Sequence, residues 1–335
     1  MIKSAIITSS IMLAALSGPF ASAQTQRTET EAQQRIDAFV SEQSEALGIA
    51  PEKLQQWLAK ARRNEDVLAA IQKPWEAKPW YQYYPIFLTD KRRAAGVRFW
   101  QAHQDELERA AQKFGVPERI IVAIIGIETF YGEYLGKYSV LDTLYTLGFY
   151  YPPRSSFFSS ELAEYFSLAA EQGWDVTEPV GSYAGAMGYG QFISSSYRHY
   201  AVDFDNDGKR DLINNTTDAI GSVANYFAEH RWQAGAPVAY QPEQNQDWAA
   251  VASKGMKPDT TIGQLRRQGY QIGSQYADDL AVKVLAFETE TGHEYWLGFD
   301  NFYSITRYNH SPLYAMVAYQ LSEQIASAYE HQNDS

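Results

Sequence analysis

Glu128 stands at the end of the most apolar run in the chain, PERIIVAIIGIETFYG, residues 117–132. Three- and four-residue spacing places it on the helical face that carries Ile121, Ile124 and Ile125, so a carboxylate is aimed where apolar side chains go. Desolvation disfavours the charged form and raises a carboxyl pKa. An acid held protonated near neutral pH in this way can give its proton to a leaving glycosidic oxygen. Spacing alone is equally compatible with a helix-end Glu turned out to solvent, so the surroundings must decide.

Two stretches downstream suit a polymer lying against the chain: Tyr150-Tyr151-Pro152-Pro153-Arg154, and the run from Gly181 to Gln191, GSYAGAMGYGQ, with four glycines. The glycines let backbone approach a ligand closely. No Lys-Ser/Thr follows and no G-x-G-x-x-G opens a helix after a strand, which argues against a nucleotide; a tight loop without a ligand is the plainer alternative. Asp203-Phe204-Asp205-Asn206-Asp207-Gly208-Lys209-Arg210-Asp211 has the D-x-D-x-D-G start of a calcium loop, with Gly at the sharp turn. Position 12, where a bidentate Glu belongs, is Asn214, and Asp218 is the nearest carboxylate beyond it. Calcium here would be structural, because an oxygen-ligated Ca²⁺ is a poor Lewis acid beside Zn²⁺. A solvated Asp-rich turn is the alternative. The six histidines show no H-E-x-x-H spacing, no G-x-S-x-G elbow is present, and cysteine is absent, so zinc, serine-elbow and thiol chemistry find no support.

The elements that must position these residues read as mainly helical. Helical spacing runs from Ile36 to about Ala70, with Pro51-Glu52 opening a second helix, and again from Ala94 to Phe114 as one amphipathic helix. Gln24–Gln34 reads as a flexible polar lead-in, and Lys73–Pro85, with its prolines, Trp and Tyr, as an irregular segment. Pro117-Glu118 opens the Glu128 helix; Leu162–Ala170, Ala219–His230 and Leu313–Glu330 are further helices. Gly292–Arg307 reads as a β-hairpin turning at Gly298–Asn301, a small β element in a helical body.

The opening Met-Ile-Lys, the apolar run from Ala5 to Leu16 and the triplet Ala21-Ser22-Ala23 read as a secretory signal peptide, cut after Ala23. Without a Cys there is no lipidation site, so a free periplasmic protein without a stable membrane anchor is expected. The 40 acidic residues outnumber 28 basic ones, giving a net charge of −12 that argues against nucleic acid or an anionic membrane. With 24 Tyr and 8 Trp the chain is rich in flat amphipathic rings, the groups that stack on sugars, though a large core would use them equally.

Taken together, GVPERIIVAIIGIETFYG, GSYAGAMGYGQF, SSYRHYAVDFDNDG, DAIGSVANYF and NFYSITRYNHSPLYA, in that order between about Trp80 and Tyr319, resemble the lytic murein transglycosylase B family of Gram-negative bacteria. The resemblance implies a mainly α (α+β) fold: a lysozyme-like catalytic core with a helical lobe and a small β-containing lobe. Expected boundaries are a signal peptide at 1–23 and one multi-lobed domain at 24–335, comprising a helical lobe (24–115), the core (116–231, with the calcium-type loop 203–218), the β-containing lobe (232–305) and a C-terminal helix (306–335). It implies Glu128 as the sole catalytic acid/base. It implies glycan contacts at Tyr83, Arg154, Ser182, Gln191, Tyr226, Tyr308, Asn309 and Tyr314. It also implies a structural calcium held by Asp203, Asp205, Asp207, the Lys209 carbonyl and Asp218, and no catalytic cofactor. The segment from Asp207 to Asp218 is one residue longer than the family spacing. Phe130-Tyr131 replaces a basic residue and Trp, and Pro153 replaces an arginine.

The implied reaction cleaves the MurNAc–GlcNAc bond of peptidoglycan glycan strands without water, leaving a 1,6-anhydro ring. A monomer is expected, with cell-wall synthesis or remodelling proteins as further partners. Ordinary glycosidases use two carboxylates; the best second candidates are Glu133 and Asp142, each of which reads equally as a surface or structural acid. A hydrolytic muramidase and a non-catalytic peptidoglycan-binding protein are the competing readings.

Overall fold

A computed structural model describes residues 19–73 and 78–333, with side chains from Thr28 to His331 among them. Most of the signal-peptide segment lies outside the described residues. The chain forms two compact units, 1–56 and 57–335.

The first unit holds α1 (Pro19–Leu47) and most of α2 (Pro51–Leu58). The polar segment Gln24–Gln34, expected as a flexible lead-in, is helical. Its Gln, Glu, Arg and Ala residues favour helix and no Gly or Pro interrupts them. Ala32 joins Phe39 and Val40 in a buried stripe, which the low apolar content of the segment conceals.

The second unit begins with α3 (Glu65–Ile71), capped by Asn64, whose side chain accepts from Asp66 N and Val67 N. Next come α4 (Trp80–Phe87), α5 (Asp90–Ala102), α6 (Gln104–Phe114) and α7 (Glu118–Thr129). Part of the segment expected to be irregular is therefore α4: Pro79 occupies its N-cap and Pro85 falls two residues from its end. The single helix expected over 94–114 is two, because the backbone leaves helical geometry at His103 (φ −128, ψ 31) while the apolar spacing continues across the break.

A two-stranded antiparallel ribbon pairs β1 (Tyr138–Ser139) with β2 (Val180–Gly181), and between its strands lie the packed helices α8 (Val140–Tyr150) and α9 (Ser155–Gln172). Then follow α10 (Ser194–Tyr200), α11 (Thr216–Glu229), β3 (Ala239–Tyr240), β4 (Thr260–Thr261), α12 (Ile262–Arg267), β5 (Ala281–Thr289), β6 (Gly292–Gly298), α13 (Asp300–Tyr308) and α14 (Pro312–Asn333). The four strands β3-β6-β5-β4 form an antiparallel sheet over its own cluster, which includes Trp248, Ile262, Val284, Leu297 and Phe299.

The hairpin exists, but one strand earlier than expected. It is β5–β6, with Thr289 opposite Gly292, and residues 300–308 are helical. Asn301, Phe302 and Ile305 are buried at helical spacing, and Asp300 in the first turn suits the helix dipole. β5 is buried on both faces over much of its length, which removes the alternation that marks a half-buried strand.

Helix α7 is the axis of this unit. Every residue from Ile120 to Ile127 is buried, and α5, α6, α11 and α14 pack around it. A helix apolar on all sides is a core helix, so its last turn is fixed by its neighbours.

Candidate active site

Glu128 occupies that last turn. The helix closes beyond it through two consecutive non-glycine residues in left-handed geometry, Phe130 (φ 52) and Tyr131 (φ 62). Such residues cost of order 1–3 kcal/mol each and persist only where the surroundings over-determine them. The surroundings here are a slot for the Tyr131 phenol. A Cβ on Gly126 would lie 2.4 Å from its hydroxyl, and one on Gly96 2.5 Å from it. The phenol donates to Arg92 O at 3.1 Å, and the Arg92 side chain reaches Gly126 O at 3.1 Å and Ile86 O at 2.8 Å. Phe130 is covered by Lys91, 4.8 Å from the ring centre, and by Arg92. The aromatic pair that departs from the family pattern thus wedges the turn carrying Glu128.

Thr129, buried beside it, joins this turn to the glycine-rich loop. Its hydroxyl bonds to Tyr189 O at 3.0 Å and accepts from Gly132 N at 3.0 Å. The loop folds on itself by the bridges Gly181↔Met187 and Met187↔Phe192. Ser182 Oγ accepts from Ala184 N and Ala186 N at 3.2 and 3.1 Å, leaving its hydroxyl proton free to donate. Gly188 (φ 71) is so close to the turn at Leu212 that a Cβ would meet Leu212 O at 2.1 Å. Gln191 (φ 49) donates to Gly188 O and Leu135 O.

The decisive contact crosses the fold. Tyr314, buried on the first turn of α14, donates its hydroxyl to Glu128 Oε1 at 2.6 Å. Glu128 keeps part of its surface accessible, while protein packs closely round the carboxyl group. That burial pushes its pKa up from 4.5 to about 7; the Tyr314 hydrogen bond favours the charged form and acts downward, but burial wins. Tyr308 lies close enough that, after burial, Glu128 and Tyr226 help push its phenol well above 10, and Tyr83 acts in the same sense on Tyr314.

Of the residues expected at the site, Glu128, Tyr83, Tyr308 and Tyr314 come together. Tyr226 adjoins Tyr308, their ring centres 4.7 Å apart. The hydroxyls of Tyr226 and Tyr308 are committed to backbone, donating to Arg307 O and Gly190 O respectively. Asn309 caps α13, partly buried, and its side chain has no hydrogen bond among the described residues. Arg154 is exposed, and its guanidinium rests over Phe157 at 4.4 Å. Glu133 is exposed and bonded to Tyr134, and Asp142 accepts from Arg62 N at 2.8 Å, so neither serves Glu128. Thr129, Arg92 and the Gly96–Gly126 slot went unread in the sequence, because their roles are defined by what packs against them. His230, stacked on Tyr226 at 4.0 Å, is a further such residue.

At the acidic loop, one oxygen each from Asp203, Asp205 and Asp218 lies within 4.8 Å of the others. Asp218 is completely buried at the start of α11 and is reached despite the longer segment, because it accepts from Phe204 N and Asp211 N at 2.7 and 2.8 Å. Asp207 lies outside that trio, and its Oδ1 accepts from Lys209 N at 2.8 Å. Lys209 enters that bond through its amide. Three convergent carboxylates with Gly208 (φ 90) at the turn fit a hard cation.

The geometry agrees with the known proteins that this chain resembles. The family described as Transglycosylase SLT domain matches residues 31–323. The membrane-bound lytic murein transglycosylase B of Escherichia coli (strain K12) is 41% identical over 307 residues, 89% of this chain and 83% of that protein. The structure of catenated lytic transglycosylase SltB1 from Pseudomonas aeruginosa has a TM-score of 0.83 at 46% identity, covering 88% of this chain and 97% of its own. Escherichia coli Slt35 in complex with calcium gives 0.78 at 39%, covering 88% and 93%. With a lysozyme-like fold, a protonatable carboxyl at the end of its central helix and kinship running through nearly the whole chain, the protein belongs to the SLT-domain family of lytic murein transglycosylases.

Proposed function

We propose that Glu128 alone supplies the acid and the base for non-hydrolytic cleavage of the β-1,4 bond between N-acetylmuramic acid and N-acetylglucosamine. The observation that carries this is the enclosed Glu128 carboxyl at the end of α7, held by Tyr314 at 2.6 Å, with its pKa raised to about 7. Protonated Glu128 gives its proton to the glycosidic oxygen as the bond to the anomeric carbon breaks. The muramyl C6 hydroxyl then attacks that carbon and its proton returns to Glu128, closing the 1,6-anhydro ring and restoring the acid. The substrate's N-acetyl group stabilises the positive anomeric carbon, held by the free hydroxyl proton of Ser182 and the side chain of Asn309.

Tyr83, Gln191 and Tyr314 contact the glycan, and Arg154 reaches it from the rim. Tyr226 and Tyr308, their hydroxyls spent on backbone, act mainly by positioning the glycine-rich loop. Asp203, Asp205 and Asp218 hold a structural calcium that ties the acidic loop to α11, with no part in the chemistry. The lobes divide as 24–115, 116–231, 232–305 and 306–335. The protein works in the periplasm as a free monomer after loss of residues 1–23, beside wall-remodelling partners; no helix among the described residues is long and apolar enough to cross a membrane.

Mass spectrometry of muropeptides released from purified peptidoglycan tests the mechanism. Products one water lighter than hydrolysis gives, absent with Glu128→Gln, are expected. Reducing-end products would make the protein a muramidase, and full activity of the variant would remove Glu128 from its role.

A further inference from the structure

Away from Glu128, a cleft of about 570 Å³ opens between α4, the β5–β6 hairpin and α14. Trp80, Tyr81 and Tyr84 share one face of α4 by their spacing, Leu88 follows at its C-cap, and Tyr83 lies outside that face. On α14, Gln320 and Gln324 stand one turn apart, on a face other than that of Tyr314. Glu128, Tyr83, Tyr308 and Tyr314 are not among the described residues that line this cleft.

The walls have a particular chemistry. Trp80, buried against Phe287, backs Tyr84 as a tilted pair with ring centres 5.2 Å apart, and Tyr84 is one of few large apolar side chains left open among the described residues, at 38% exposure. Opposite, Trp296 on β6 is held in orientation by its indole donating to Glu294 Oε1 at 3.1 Å. The side-chain amides of Gln241, Gln320 and Gln324 converge here, with no hydrogen bond among the described residues. Among the described residues no Lys, Arg or His lines the space, while Glu290 and Glu294 do. An anionic ligand is repelled by such walls. Flat rings beside unspent amides instead suit a neutral sugar, whose ring faces stack and whose hydroxyl and acetamido groups need both donors and acceptors.

We propose that this cleft is an accessory site for a neutral stretch of β-1,4-linked N-acetylhexosamine glycan, distinct from the site at Glu128, which holds the enzyme on the wall while Glu128 cuts. The inference rests on the peptidoglycan-cleaving reading above. Occupation of the cleft adds a second attachment to a polymer without altering the chemistry, so its effect appears only with long or insoluble substrate.

The test compares wild type with Trp296→Ala and with the surface pair Gln320→Ala/Gln324→Ala, which leaves the sheet intact, after checking that each unfolds like wild type. Expected are roughly tenfold weaker pelleting with insoluble sacculi and a matching fall in the cleavage rate on sacculi, with the rate on a short soluble tetrasaccharide unchanged. Unchanged pelleting and sacculus cleavage in both variants would overturn the proposal, as would an equal loss on both substrates. Calorimetric titration of Glu128→Gln protein with chitohexaose decides the cleft even if no anhydro product is ever released. Two sites are expected, one of them lost with Trp296→Ala, whereas a single site retained in that variant rules the cleft out.

Discussion

A carboxyl with a pKa near 7 is a proton donor over the range where an ordinary glutamate has long been ionised. The value is a balance at one residue: desolvation at the end of α7 raises it and the Tyr314 hydroxyl, 2.6 Å away, lowers it. The activity of the protonated form should therefore fall above about pH 7 along a single ionisation in kcat/KM. Tyr314→Phe removes a donor to the charged form, so the alkaline limb should move to higher pH; a shift downward, or none, would show that Tyr314 does not set this pKa. Stability carries the same sign. Between pH 4.5 and about 7 the folded state keeps a proton that the unfolded state loses, so this group's contribution declines as pH rises through that window and is flat above it. Glu128→Gln should lose that slope and, above pH 7, unfold at a higher denaturant concentration than wild type.

At the scale of elements, the end of α7 is held by packing and by one hydroxyl. Thr129→Val keeps the shape but strands Tyr189 O and Gly132 N, so a loss of about 1–3 kcal/mol in denaturant unfolding is expected, with a larger fall in kcat than in KM if the loop shifts from Glu128. Gly126→Ala drives a methyl into the Tyr131 phenol and should cost about 1–3 kcal/mol, read as a lowered midpoint. In the acidic loop, added calcium should raise the unfolding temperature of wild type and leave that of Asp203→Ala unchanged. Chelation should not abolish cleavage at temperatures where the fold survives. Here the sequence was informative about existence and poor about ends. The calcium-type loop and the α7 helix were visible as motifs. The break at His103 and the strand-to-helix change at Asp300 were not, because apolar spacing runs through the first and β5 is too buried to alternate.

For the whole molecule, the net charge of −12 sets the terms of approach to a wall polymer that itself carries carboxylates. Capture by bulk attraction is excluded, and binding must come from short-range stacking and hydrogen bonds. Pelleting with sacculi should therefore persist or strengthen as salt rises and screens like-charge repulsion, whereas a protein held by basic patches would be released. The Arg198 network with Glu164 and Glu171, extended by Arg210, joins α9 to α10 and to the acidic loop, and it is too open to solvent to dominate stability.

By itself the sequence determined the helix that carries Glu128, because an unbroken apolar run behind Pro117-Glu118 leaves no other reading, and it identified the acidic loop and the glycine-rich loop, whose signals are local in the chain. It equally determined the absence of thiol and zinc-motif chemistry, since those need residues or spacings that are not there. Only the tertiary structure decided that Glu128 faces Tyr314 across 186 residues of chain, and that one oxygen each of Asp203, Asp205 and the buried Asp218 converge within 4.8 Å. Those are questions of direction and proximity between distant segments. They are settled by how helices pack around α7, and residue type and spacing along one segment carry no record of that.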